Sequence, residues 1–264
     1  MFKVNHEVPL CLLEDSKTFN DYEFILPHLL DQDNDYARYM IQAKKENRYI
    51  IMDNSLHELK DINDGQAYDE SRLLHWVNEL KPNEFIIPDV WQDTTQSIIN
   101  ARKWAQIELP EEVTKVAVIQ AINLTNAITC YQTYKDLGYK KIAFSYGAEY
   151  YLDHSFHPNK NLAKALGRIQ VISKMYNMGL INNNDRIHLL GCASPFEFAL
   201  YKDMPFIESI DTSNPIMAAL EGVKYGNFGI NEKPKANMND HFYTTEIDYK
   251  LIEWNVNMFK NLIK

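Results

Sequence analysis

Several short hydrophobic runs along the chain stop at a polar group, and this repetition constrains the fold more than any other feature. Ile50-Ile-Met-Asp53, Phe85-Ile-Ile-Pro-Asp89 and Phe206-Ile-Glu-Ser-Ile-Asp211 end in aspartate. Val116-Ala-Val-Ile-Gln120 ends in an amide, and Ile142-Ala-Phe-Ser145-Tyr-Gly147 in a hydroxyl and a glycine. Runs that are apolar almost throughout read as strands buried on both faces of a parallel sheet. A carboxylate at the tip of such a strand is poor packing material, because an unpaired buried charge is strongly disfavoured. One such end is ordinary, since Asp and Asn cap helices. At Asp211 both readings stand: Asp211 or Asn214 caps the helix that Pro215 opens, or Asp211 is a functional carboxylate. Five polar ends in a row point to a shared rim.

The predicted strands are Val8–Leu13, Tyr49–Met52, the run to Asp89, Lys115–Ala121, Lys141–Ser145, Arg186–Leu190 and the run to Asp211, with a weak eighth near Asn227–Ile230. Helical spacing covers 21–47 (broken near Pro27 and again around Asp31 to Asp35), 71–80, 94–108, 125–137, 159–178, the stretch after Asp211 to Leu220, and a closing helix over about 246–263. A polar loop through Gly65 precedes the second of these, and Ser194-Pro195 opens a short helix. Seven or eight strand–helix units in 264 residues, with no linker or break in composition, predict one α/β domain over 1–264. The expected fold is a single (β/α)8 TIM-type barrel with its active site at the C-terminal mouth of the strands. An open doubly wound sheet is the alternative, but no Gly-x-Gly-x-x-Gly follows the first predicted strand.

No apolar run approaches the roughly 20 residues of a membrane span, and the first residues lack the apolar core of a secretory signal. Cys11, Cys130 and Cys192 are odd in number and scattered, which indicates neither a disulfide framework nor a zinc cluster. The expectation is a cytoplasmic protein with no membrane partner. A net charge of −9 argues against a broad grip on nucleic acid, where phosphate neutralisation supplies much of the affinity. Phosphates would be met by a local patch, drawn from Lys140, Lys141, Lys160, Lys164 and Arg168; the alternative is that these are simply solvated. His154 and His157 form a His-x-x-His without a third ligand, so no metal and no cofactor is expected.

A rim of carboxylates, an amide and a glycine turn suits a flat, nitrogen-rich heterocycle. Aspartate accepts hydrogen bonds from a ring N–H and an exocyclic amine, and glutamine both donates and accepts. Backbone beside Gly147 can approach a ring carbonyl closely. A further aspartate could attack a sugar anomeric carbon while another serves as acid or base.

On these residues the chain resembles the tRNA-guanine transglycosylase superfamily. Met52-Asp53-Asn-Ser is similar to its strand-end aspartate motif and Ile87-Pro-Asp89 to its second aspartate. Ile119-Gln120 resembles its base-reading glutamine, Ser145-Tyr-Gly147 its glycine turn, Leu189-Leu-Gly191 its apolar-glycine segment, and Ser209-Ile-Asp211 its nucleophile strand. The likeness covers residues from about 48 to 216. It implies guanine base exchange: an aspartate attacks C1′ of a guanosine, guanine leaves, and a preQ0-like 7-deazaguanine takes its place with retained configuration. By that likeness Asp211 is the nucleophile and Asp53 the general acid/base. Asp89, Gln120 and the Ser145-Tyr146-Gly147 backbone read the base edge, Leu190 packs on one ring face with His57 towards the other, and Gly191 also belongs to the base site.

The family's Cys-x-Cys-x-x-Cys…His zinc site has no counterpart here, nor has its basic tRNA-docking surface. These departures resemble the zinc-free, often phage-encoded branch that modifies DNA, so DNA is favoured over tRNA and the host cytoplasm is the expected setting for a phage protein. Lys160, Lys164 and Arg168 would form the nucleic-acid rim. So small a rim leaves room for a helper protein or a homodimer. Other readings stay open: tRNA as substrate, an inactive nucleobase-binding subunit, or a lyase or aldolase. The last is weakened because Lys115, Lys140 and Lys141 lie at strand starts, where no Schiff base would meet the mouth.

Overall fold

Eight short strands form in the computed structural model, which describes residues 2–59, 68–230, 234 and 238–264; most centre on β-branched or aromatic residues, as in Ile50–Met52 and Lys141–Ser145. The strands are β1 (Lys3–Asn5), β2 (Glu23–Ile25), β3 (Ile50–Met52), β4 (Glu84–Ile86), β5 (Thr114–Ile119), β6 (Lys141–Ser145), β7 (Arg186–Leu190) and β8 (Ile207–Asp211). Eight parallel strands in one sheet, alternating with helices along the chain, give the fold class of a single (β/α)8 TIM-type barrel.

The chain forms two compact units, Tyr22–Ser145 and Met1–Asp21 with Tyr146–Lys264. In the first, β2, β3, β4, β5 and β6 pair in chain order, all parallel. Parallel neighbours need crossover helices: Pro27–Gln32 and Asn34–Lys45 join β2 to β3, and Glu70–Leu80, Thr94–Gln106 and Leu124–Asp136 supply the next three. The last three start at side-chain caps, Asp69, Asp93 and Asn123 in turn. At the strand starts, the buried Lys141 ammonium donates to Glu84 Oε2 at 2.6 Å, and the Tyr49 hydroxyl to Glu84 Oε1 at 2.7 Å. That ion pair ties β4 to β6 at the end opposite the polar strand tips.

In the second unit β8 lies between β1 and β7, again parallel, with Asn5 opposite Asp211 and His188 opposite Ser209. The helix Lys160–Asn177 precedes β7, Asn214–Leu220 follows β8, and Tyr249–Leu262 closes the chain within the expected range. Among the described residues, no helix is long and apolar enough to cross a membrane.

Three expectations need correction. Val8–Leu13 is not a strand: it is a 3-10 turn, Leu10–Leu12, running into a one-turn helix, Leu13–Ser16. Pro9 leads in and cannot donate to a central ladder, and Ser16 Oγ closes the turn on the Leu13 carbonyl. The first strand is Lys3–Asn5 instead. β2 lies inside the stretch read as helical, because Pro27 holds Leu26 extended (φ −96°, ψ 105°) and the helix starts only after it. No strand forms at Asn227–Ile230; Gly226 and Gly229 bond to each other's backbone in a tight turn, Gly229 at φ +81°. The loop through Gly65 lies outside the described residues.

Two buried histidines make stability depend on pH. Burial pushes His6 in the second unit down to about 3 and His28 in the first down to about 4. Both are therefore neutral in the folded protein at pH 7, and the unfolded chain takes up their protons first as pH falls. Their contribution is complete above about pH 6.5 and is lost towards the folded values, at about 1.4 kcal/mol per pH unit for each ring. The buried carboxyls of Asp89 and Glu197, pushed up by burial, act in the opposite sense. The histidine part is therefore read as a difference. Urea unfolding of His28→Gln should show a stability slope shallower than wild type by about 1 kcal/mol per pH unit between 6.5 and 4. Parallel slopes would show that His28 is charged in the folded state.

Candidate active site

In the first unit Asp89 and Gln120, past the ends of β4 and β5, form one hydrogen-bonded group with Asn54, which follows Asp53 at the end of β3. The Asp53 N–H continues the β2–β3 ladder by donating to the Ile25 carbonyl at 2.8 Å, which fixes the residue at the end of β3. Its Oδ2 accepts from the Ser55 N–H at 3.2 Å, with Ser55 at φ +60°. Asp53 thus has a turn role as well as its position on the rim. Asn54 reaches across to β4, donating to the Ile87 carbonyl at 2.8 Å and to Asp89 Oδ1 at 2.6 Å. Gln120, just beyond β5, donates to Asp89 Oδ2 at 2.6 Å and accepts from the Gln92 N–H at 3.0 Å. Gln92 sits at φ +54°, so the Gln120 carbonyl oxygen holds a left-handed turn after β4.

Asp89 is the centre of this group. It is 6% exposed, and among the described residues no cation pairs with it. Burial pushes its carboxyl above the ordinary range, against the opposing pull of the Gln120 and Asn54 amides. A carboxylate kept at that cost, with amides on both oxygens, is suited to an N–H-rich ligand. The His57 and Trp91 rings, four residues after Asp53 and two after Asp89, have centroids 5.9 Å apart. Ser145 ends β6, half-buried.

The second unit carries a separate group around Asp211. The Asp211 side chain, 17% exposed, accepts from His188 Nε2 at 3.0 Å on Oδ1 and from the Gly191 N–H at 3.3 Å on Oδ2. His188 Nδ1 meets Ser209 Oγ at 2.8 Å. Neither Asp211 oxygen bonds the following helix, and Ser213 at its N-cap makes no side-chain cap bond. Capping does not explain this carboxylate. Gly191 is required where it stands: φ is +58°, and a Cβ would lie 2.4 Å from Tyr146 Cδ1. The Tyr146 N–H donates to the Leu190 carbonyl at 3.0 Å, and Gly147 follows, buried. Leu190 and Gly191 are half-buried.

Of the three residues expected to form a basic rim, one is buried. Lys160 is exposed at the start of its helix, and Lys164 pairs with Glu149. Arg168 is 0% exposed and belongs to no surface. It pairs with buried Glu197 and donates to the Leu190 carbonyl at 3.0 Å and the Gly191 carbonyl at 2.8 Å. It holds the end of β7 in place rather than meeting phosphate.

No known family model matches the chain. No curated protein matches it either. The two polar groups are therefore judged on their own chemistry. Asn54 and Ser209 stand inside the predicted motifs without a role of their own, and His188 is not among the predicted site residues. Ser209 and Asp211 share a strand face by the two-residue period, and consecutive strands usually pair. The signal for His188 was thus a lone histidine inside an apolar strand next to β8.

Proposed function

We propose that the chain is a pentosyltransferase that exchanges guanine in nucleic acid for a 7-deazaguanine through a covalent aspartyl–C1′ intermediate. The observation that carries this reading is Asp89, a buried carboxylate with no cation, held by the Asn54 and Gln120 amides at adjacent strand tips. Its oxygens retain lone pairs for the N–H and amine edge of a guanine-like ring, and Gln120 retains a further N–H. Asp211 supports the second half of the reading, as a carboxylate oriented by two donors and open to solvent.

In the first displacement an Asp211 oxygen bonds C1′, the C1′–N9 bond breaks, and the departing guanine takes a proton from the Asp53 carboxyl. In the second, the 7-deazaguanine returns a proton to Asp53 and bonds C1′, and the ester electron pair goes back to Asp211. Two inversions retain configuration. The target nucleotide must be extruded, since a stacked base cannot be replaced.

Asp89→Ala should raise the dissociation constant for free 7-deazaguanine by about ten- to a hundredfold, because a buried partner left unmade costs about 1–3 kcal/mol. Calorimetry reads this directly, and unchanged affinity would place Asp89 outside the base site.

DNA remains the favoured polymer, and its grip must be light. With Arg168 buried, the rim reduces to Lys160 and Lys164. Two phosphate contacts at about −0.9 each give a log–log salt slope near −1.8 on duplex. A slope of about −5 or steeper would require a basic surface beyond these two residues. Weak binding of this kind fits a helper protein or a second copy supplying further contact.

A further inference from the structure

Ser209, His188 and Asp211 form a hydroxyl–imidazole–carboxylate chain in the order used by serine hydrolases, but accessibility runs the other way. Ser209 and His188 are each 1% exposed, and the carboxylate is the member that reaches solvent. A serine so buried cannot attack a substrate, and a ring so buried cannot touch one. We infer that His188 is a positioning residue for Asp211, clamping Oδ1 in one orientation while the Gly191 N–H holds Oδ2. This rests on the reading of Asp211 as the nucleophile.

The geometry assigns the ring's proton. An ionised carboxylate only accepts, so the 3.0 Å contact to Oδ1 requires a hydrogen on Nε2. In the neutral ring Nδ1 is then an acceptor, and the Ser209 hydroxyl donates to it at 2.8 Å. Asp211 thereby fixes the tautomer, and the Ser209 hydroxyl, which can donate, anchors the ring that orients Asp211. The register makes this arrangement local, since His188 lies directly opposite Ser209. Arg168 adds support from behind through the Leu190 and Gly191 carbonyls.

Two consequences follow for the displacements. Fixing the carboxylate plane leaves the weakly held Oδ2 with a defined direction towards C1′, and positioning of this kind contributes to rate. In the second displacement the C1′–O bond breaks and its electron pair returns to Asp211, where the Nε2–H and the Gly191 N–H stabilise the charge.

The test compares His188→Leu with His188→Gln. Gln places an amide N–H near the position of Nε2; Leu places none. His188→Leu should lower kcat for exchange by about ten- to a hundredfold, the worth of a hydrogen bond to a charged group. KM for the free base should stay nearly unchanged, and His188→Gln should recover most of the rate. Wild-type kcat in the Leu variant, or a Gln variant no faster than Leu, would overturn the assignment. ¹⁵N NMR of the resting wild-type protein needs no substrate and separates this inference from base exchange itself. An Nε2–H tautomer at His188 supports the clamp even if no exchange occurs, and an Nδ1–H tautomer overturns it.

Discussion

Asp211→Asn is expected to abolish base exchange while leaving the fold in place. Removing the attacking group in covalent catalysis removes the pathway, and losses of at least about a thousandfold are usual when a nucleophile is deleted. The fold should survive because His188 can adapt. An Asn amide presents an N–H where a carboxylate oxygen stood; if that N–H faces His188, the ring can carry its proton on Nδ1 and donate to Ser209. The Asn carbonyl then still accepts from the Gly191 N–H. Circular dichroism and urea unfolding should therefore match wild type closely, and free-base binding through Asp89 and Gln120 should persist. Near-normal exchange by the purified variant would move the nucleophile to Asp53.

Arg168→Met should produce the largest loss of stability. Removing one partner of a buried ion pair leaves the other charge uncompensated, at a cost of about 3–5 kcal/mol. Glu197 is poorly placed to tolerate this. Burial already pushes its carboxyl up, its Oε2 has no hydrogen-bond partner among the described residues, and the Tyr201 hydroxyl is the other donor to Oε1. The Arg168 guanidinium also holds both carbonyls at the end of β7, so exchange should slow as Gly191 loosens around Asp211. Arg168→Met with Glu197→Leu should recover more than half of the lost stability, since no buried charge is left behind. Urea unfolding of the single and double variants decides this. A loss below about 1 kcal/mol in the single variant would mean that water reaches Glu197.

The strand tips were legible because β3 to β8 carry apolar runs that stop abruptly, and Asp53, Asp89, Gln120 and Asp211 all stand at those stops. β1 and β2 were not legible. Each has three residues, too few for any period to show, and the more apolar Val8–Leu13 competed for the same assignment. Arg168 was misread for a geometric reason. Lys160, Lys164 and Arg168 look like one basic face, but each four-residue step on a helix turns by about 40°. Two steps rotate the face from exposed Lys160, through half-covered Lys164, to fully buried Arg168. The His188 clamp depends on register, with a register shift between Ile187 and His188 setting which residue faces Ser209. No one-dimensional pattern carries that information.

Base exchange itself is tested most directly by incubating the protein with DNA and, in parallel, tRNA carrying labelled guanine, each with a 7-deazaguanine supplied. The expected result is release of labelled guanine from DNA with one 7-deazaguanine incorporated per guanine lost, and none without the incoming base beyond a single enzyme equivalent. Release from tRNA alone would overturn the choice of polymer. No release and no incorporation from either polymer would contradict base exchange.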